Sequence, residues 1–361
     1  MTEETQVPGA APEADEPAKD PLGFDFSLSF PQILHQLGIS LLVTTYQAGR
    51  VYTVTSNGED IKLVGRNYTR AMGCYVYPRG LLLATQNQIL SFTRAPQLIP
   101  RYFPDQNYDN LYLTQYAHYT GDIAAHDVVM MDGKVVVVSS TFNCLVTMSP
   151  DHSFIPLWKP HFISALVAED RCHLNGVALV AGRPRYVTCL GTTDKAGAWR
   201  ENKATGGVVM DINTNQVICE GLAMPHSPRC YEGDLWVLSS GTGELGIVNS
   251  LGFQSMITLP GFLRGLAFAG PYAFVGLSKI REKKTFGGLP VEEKIKDLRC
   301  SVEVVNLKTG LWEGALRFQG DVEELYDVQV IPQCRLPLIT GYDQVEDRQF
   351  FFNLPVPTTR R

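Results

Sequence analysis

The chain has 361 residues, 45% of them hydrophobic and 10% aromatic, with a net charge of −6 and a sequence pI near 5.7. That is enough apolar material for a large core, and too acidic for nucleic acid as the main partner, because phosphate binding needs a basic stripe. No apolar run of about 20 residues is present, so no membrane span is expected.

Residues 1–21 are rich in Glu, Asp, Pro and Ala. They bury too little surface to offset the entropy of ordering, which predicts a disordered tail. The tail lacks the basic start and apolar stretch of a secretory signal. The eight cysteines contain no CxxC pair and most fall inside apolar strand patterns. They read as reduced, buried thiols, and a cytoplasmic location follows.

From 22 to 356 a single domain is expected, built on one recurring unit and followed by a short tail at 357–361. A short apolar strand ends in a tight turn and resumes as a second strand, at 40–46, 81–86, 135–141, 185–191, 235–240, 272–278 and 336–342. In the unit around residues 122–160 an inner strand meets the turn Asp132-Gly133, and three further strands follow. Recurrence of this kind predicts an all-β protein, a seven-bladed β-propeller. The alternative is six-bladed, because the first inner strand, at 31–37, is the least strand-like. The last unit has a third strand at 349–352, and the segment 25–30 is expected to supply its fourth and close the ring.

The meander sorts the loops. Connections on one face are all short, whereas the long insertions fall on the other: 99–121, 160–171, 192–206 and 279–300, the last with a helix at 291–298. Long loops gathered on one face of a compact domain point to function. Aligning the units on their turn residue places Gly73, His126, Asn175, His226, Leu263 and Asp327 at one position, the start of each inner strand. Asp127 and Arg264 stand beside it, and His173 and His118 lie in the links just upstream. Imidazole and carboxylate side chains converging on one axis suit a divalent transition metal, Fe, Cu or Zn. The expected ligands are His126, His226, His173 and Asp327. Arg264, Asp127 and Asn175 are the expected catalytic residues, with Arg264 as the clamp for an anion. The competing reading is structural: such residues can bond neighbouring backbone and lock one blade to the next.

Other candidates weigh less. The tyrosines Tyr102, Tyr108, Tyr112, Tyr116 and Tyr119 either line an aromatic pocket or pack a loop. The basic positions Lys279, Arg281, Lys283 and Lys284 steer an anionic substrate or coat a solvated loop. Trp199 and Arg200 pair a stacking surface with a cation.

The stretches 41–49 (LLVTTYQAG), 172–177 (CHLNGV) and 224–229 (MPHSPR) resemble a bacterial family of conserved hypothetical proteins. The resemblance spans 24–354 and implies a propeller-type fold without a settled activity. At greater distance the repeats look like NHL-type and strictosidine-synthase-like propellers, families that include lyases, hydrolases and binding scaffolds. The expectation is therefore a metal-dependent enzyme acting on a small, anionic molecule at the channel mouth. The alternative is a non-catalytic propeller that binds a protein or peptide through its loop-rich face.

Overall fold

Six antiparallel sheets stand around a central axis in the computed structural model, which describes residues 23–280, 287–341 and 353. Numbered by chain order of their second strands, the first blade runs Asp327–Ile331, Ser40–Thr45, Arg50–Ser56 and Ile61–Asn67 from the axis outward. The second runs Cys74–Tyr77, Gly80–Ala84, Gln88–Arg94 and Asn110–Tyr119, and the third Ala125–Met131, Lys134–Ser139, Cys144–Thr147 and Ile155–Trp158. The fourth is Leu174–Val180, Arg183–Cys189, Gly207–Asp211 and Gln216–Leu222, and the fifth Pro225–Tyr231, Asp234–Ser239, Glu244–Asn249 and Gly252–Thr258. The sixth is Phe262–Ala269, Tyr272–Ser278, Ser301–Asn306 and Leu311–Phe318.

The all-β propeller expectation holds, with the six blades given as the alternative in place of seven. Residues expected as the first inner strand form instead the helix Ser29–Leu37. Phe30, Ile33 and Leu34 recur at helical spacing and are buried, and Gly38 ends the helix at φ +64. That helix packs on the outer side of the ring, in one apolar cluster with Tyr52, Leu316 and Phe318. The inner strand it was expected to supply comes from the other end of the chain. Asp327–Ile331 pairs antiparallel with Ser40–Thr45, Asp327 opposite Thr44, and closes the ring. The last expected unit therefore supplies only the inner strand of the blade whose other three strands come from the first.

The remaining terminal strands become fifth strands at outer edges. Phe24–Phe26 pairs antiparallel with Leu311–Phe318, and Pro337–Ile339 pairs parallel with Asn110–Tyr119. An edge covered in this way offers fewer unpaired backbone groups. The insertion expected at 99–121 is for its second half the fourth strand of the second blade. His118 and the tyrosines Tyr112, Tyr116 and Tyr119 lie on that strand, with His118 edge-on to Tyr116. His118 is therefore on an outer strand, away from the channel mouth where it was expected.

The tight face follows from its turns. Asp132-Gly133 and Glu232-Gly233 both have two successive positive φ values, +50 and +78, then +51 and +93. This is the two-residue hairpin turn whose twist matches the strands. The expected tails, the strand at 349–352 and the basic positions Arg281, Lys283 and Lys284 lie outside the described residues. No helix among the described residues is long and apolar enough to cross a membrane.

Candidate functional site

The inner strands of the third and fifth blades begin alike. Ala124 and Met224 each adopt a left-handed backbone, φ +46 and +48, two residues before His126 and His226. Non-glycine residues rarely hold that conformation without cause. Here it turns a carbonyl toward the ring that follows. His126 Nδ1 lies 3.2 Å from the Ala124 carbonyl oxygen and 2.8 Å from Ser140 Oγ. His226 Nδ1 lies 2.8 Å from the Met224 carbonyl oxygen and 3.0 Å from Ser240 Oγ. A carbonyl can only accept, so each Nδ1 carries the proton and each Nε2 keeps its lone pair.

His173 arrives from the link before the fourth blade, with φ +51. Its Nδ1 donates to Asp170 Oδ1 at 2.8 Å, and its Nε2 stands 3.1 Å from His126 Nε2. Two lone-pair nitrogens facing each other at that distance require a cation between them, either a proton or a metal. The spacing suits two neighbouring ligands on one ion at bond lengths of about 2.0–2.1 Å. Both rings also have the oxygen partner on the far nitrogen that metal-bound imidazoles normally show. Among the described residues no three His, Cys, Asp or Glu side chains cluster to cage an ion. The chain thus fits a metal as a pair of imidazoles, with further positions left to water or ligand.

These groups line a cavity of about 270 Å³ on the loop-rich face, together with His226, Arg264, Trp199 and Tyr326. Burial holds His126 well below the usual histidine range, with the His173 and Arg264 charges adding to it. Burial does the same to His226, again helped by Arg264. Both are neutral near pH 7, the form that binds metal or accepts a proton. Arg264 donates to Glu324 at 3.0 Å and lies over the Tyr326 ring, 3.6 Å from its centre.

The two in-blade insertions build one wall. Trp199, on the turn Ala198–Asn202, packs with Leu289, Val291 and Phe262, so residues 192–206 and 279–300 share a small core of their own. The expected helix at 291–298 is the shorter Pro290–Lys294. Trp199 Nε1 donates to Asp170 Oδ2 at 3.0 Å, and Arg200 lies over the Trp199 ring at 4.2 Å. One carboxylate therefore pins the insertion and orients His173. Trp199 is 1% exposed. Trp199→Ala is expected to cost about 3–5 kcal/mol through the cavity it leaves. Trp199→Phe, which mainly removes the bond to the carboxylate, is expected to cost about 1.5–3 kcal/mol. Urea denaturation checks the ranking, and a Trp199→Phe protein as stable as wild type would show that Asp170 does not anchor the insertion.

The other expected site residues have partners in neighbouring blades. Asp127 accepts from the Val177 N–H of the next blade at 3.0 Å, and Asp327 from the Cys74 N–H of the next blade at 3.1 Å. Between them stands Arg229, whose Nη1 is 2.8 Å from Asp127 and whose Nη2 is 3.7 Å from Asp327. Burial pushes the Asp327 carboxyl up to about 6 against the pull of Arg229. Asn175 donates to the Pro225 carbonyl of the next blade at 2.9 Å. Backbone N–H groups and a guanidinium thus take up the two carboxylates, a backbone carbonyl and the Thr188 hydroxyl take up Asn175, and the three join neighbouring blades below the cavity. Sequence reading missed Ser140 and Ser240, although each lies fourteen residues after its histidine. It also missed Asp170, three residues before His173.

No curated protein matches the chain. Among solved structures, the nidogen–laminin complex is similar with a TM-score of 0.52 at 10% identity, covering 82% of this chain and 99% of that one. A protein of unknown function from Bacteroides caccae gives 0.48 at 9% identity, covering 81% and 98%. Virginiamycin B lyase from Staphylococcus aureus gives 0.37 at 10% identity, covering 77% and 79%. The first of these likenesses bears on the propeller fold alone. At the level of sequence, residues 28–340 match one family over most of the chain, and the protein belongs to that family, described as Domain of unknown function (DUF4915).

Proposed function

We propose that the protein is a metal-dependent enzyme that modifies a small anionic molecule in the mouth cavity. The observation that carries this reading is the His126–His173 pair, with Nε2 atoms 3.1 Å apart and both Nδ1 atoms committed to oxygens. The two imidazoles would hold Fe, Cu or Zn, which supplies Lewis acidity or an activated water when bound. Ser140 and Ala124 fix the His126 ring, and Asp170 fixes His173. Arg264 holds the anion, and the buried wall around Trp199 keeps bulk water out.

A role as a docking platform has less support. Among the described residues the exposed large apolar side chains of the four insertions are Tyr116 and Tyr119, on the outer strand of the second blade, and Leu166, from a different insertion. A protein-binding face normally presents a contiguous apolar patch. The insertions spend theirs on each other and on the cavity.

The reading is tested by thermal melts of metal-free protein with added Zn²⁺. Wild type should gain about 2.7 kcal/mol when free metal is a hundredfold above its Kd. His126→Ala and His173→Ala should lose that gain while melting near the wild-type apo temperature. Equal gains in all three proteins would remove the proposal, as would variants that simply unfold earlier with no metal effect in wild type.

A further inference from the structure

Arg264 is buried, 7% exposed, yet its hydrogen bonding is incomplete. A guanidinium carries five N–H donors in a planar fork. Nη1 donates to Glu324, and among the described residues Nε and Nη2 have no acceptor. One face of the group is taken by the Tyr326 ring at 3.6 Å. What remains toward the cavity is the Nε/Nη2 edge, two parallel donors that match two coplanar oxygens. Neither atom is sealed from the cavity that Arg264 lines, so this edge is open to an acceptor that arrives from outside.

Charge limits that acceptor. Glu324 already offsets Arg264 at the deep end. The other cations lining the cavity, Arg70, Arg200 and Lys279, are half-exposed at the rim, and each faces an acid: Asp122 at 3.0 Å, Asp170 at 3.6 Å and Glu323 at 3.8 Å. They steer an anion inward, whereas the floor offers a single cation whose charge Glu324 already shares, so its open donor edge suits one carboxylate better than a dianion. The walls above it are apolar, formed by Met72, Leu190, Met224, Phe262 and Ile280. A volume of about 270 Å³ falls just under the ≈300–1,000 Å³ of drug-sized sites, so the occupant is metabolite-sized.

We infer that the ligand of this cavity is a small monocarboxylate with an apolar body, its carboxylate seated on the Nε/Nη2 edge of Arg264. The inference rests on the enzyme reading only in taking this cavity as the reaction site. It names the substrate class: a carboxylic acid whose carbon skeleton is presented to His126, His173 and His226.

The test is calorimetric titration of full-length protein dialysed against EDTA, so that a carboxylate cannot bind through a metal. The probes are butyrate, benzoate and phenylacetate, with phenylphosphonate and benzyl alcohol as dianionic and neutral counterparts. At least one carboxylate should bind wild type and lose about ten- to hundredfold in affinity in Arg264→Lys, which keeps the charge and loses the fork. Arg264→Met should abolish binding, and circular dichroism checks that both variants are folded. Phenylphosphonate or benzyl alcohol binding as tightly as the carboxylates would overturn the inference. So would carboxylate binding unchanged in Arg264→Lys, or no carboxylate binding wild type below about 10 mM, well short of ordinary metabolite affinities. Retained carboxylate binding in His126→Ala and His173→Ala separates this result from the fate of the metal.

Discussion

A chain ended after residue 326 is expected to lose its cooperative unfolding transition. The deletion removes the inner strand Asp327–Ile331 and leaves Ser40–Thr45 as a bare edge facing the axis. Val328, Ile331, Cys334 and Ile339 leave with it, all 6% exposed or less. At about 1.5–3 kcal/mol for each fully buried apolar side chain, the four together are worth roughly 6–12 kcal/mol. A whole domain holds only about 5–15 kcal/mol, so the loss exhausts the stability. Thr44 adds to it, since its Oγ1 accepts from the Asp327 N–H at 3.0 Å. Thermal melts by circular dichroism and dye binding to exposed apolar surface should both report the change. A chain ended after residue 341 serves as control and should keep its transition. Adding a peptide of residues 327–341 in trans should restore part of it. A 326-residue chain melting at the full-length temperature would refute closure by this strand.

The second large effect is expected at Arg229. Replacing it with methionine leaves Asp127 and Asp327, each with a side chain 6% exposed, facing each other without a counter-charge. Removing one partner of a buried ion pair typically costs about 3–5 kcal/mol. The pH dependence gives the loss a signature. Burial already raises the Asp327 carboxyl, and without the guanidinium that opposes it the group titrates still further above the unfolded value of about 3.9, so the folded state binds more protons than the unfolded one. Stability of the variant is then fullest below that unfolded value and falls as pH rises through the raised folded value of Asp327. Arg229→Met should therefore come closer to wild type at pH 5 than at pH 8. Adding Asp127→Asn and Asp327→Asn should recover most of the deficit at pH 8. A deficit independent of pH would show that the guanidinium acts by packing alone.

The blade repeat was legible because strand, turn and strand are local, and period-two alternation with turn residues is written in consecutive positions. The number of blades was not. Whether 31–37 and 327–331 are two inner strands or one depends on pairing across nearly the whole chain, and no local signal carries it. The segment around Phe30, Ile33 and Leu34 has helical spacing that the expectation of one more strand overrode. The shared register of His126, Asn175, His226 and Asp327 was legible, but the direction of each side chain was not. In the structure the two imidazoles reach the cavity, whereas Asn175 and Asp327 turn to neighbouring backbone. Ala124 and Met224, two residues before, take a left-handed backbone that supplies a carbonyl to each ring, but His173 holds the same conformation before Asn175, so the backbone alone does not set the direction and sequence does not announce it at alanine or methionine. His173 was placed beside the site by its link, but its contact with His126 depends on Asp170 and on the insertion that Trp199 anchors.

The most direct measurement is the transition-metal content of untagged protein purified without chelator. Opposed imidazole lone pairs at this spacing predict about one equivalent per chain, absent from His126→Ala and His173→Ala proteins that remain folded. Less than about a tenth of an equivalent, even after reloading with Fe, Cu or Zn, would mean that a shared proton is all that joins the two rings.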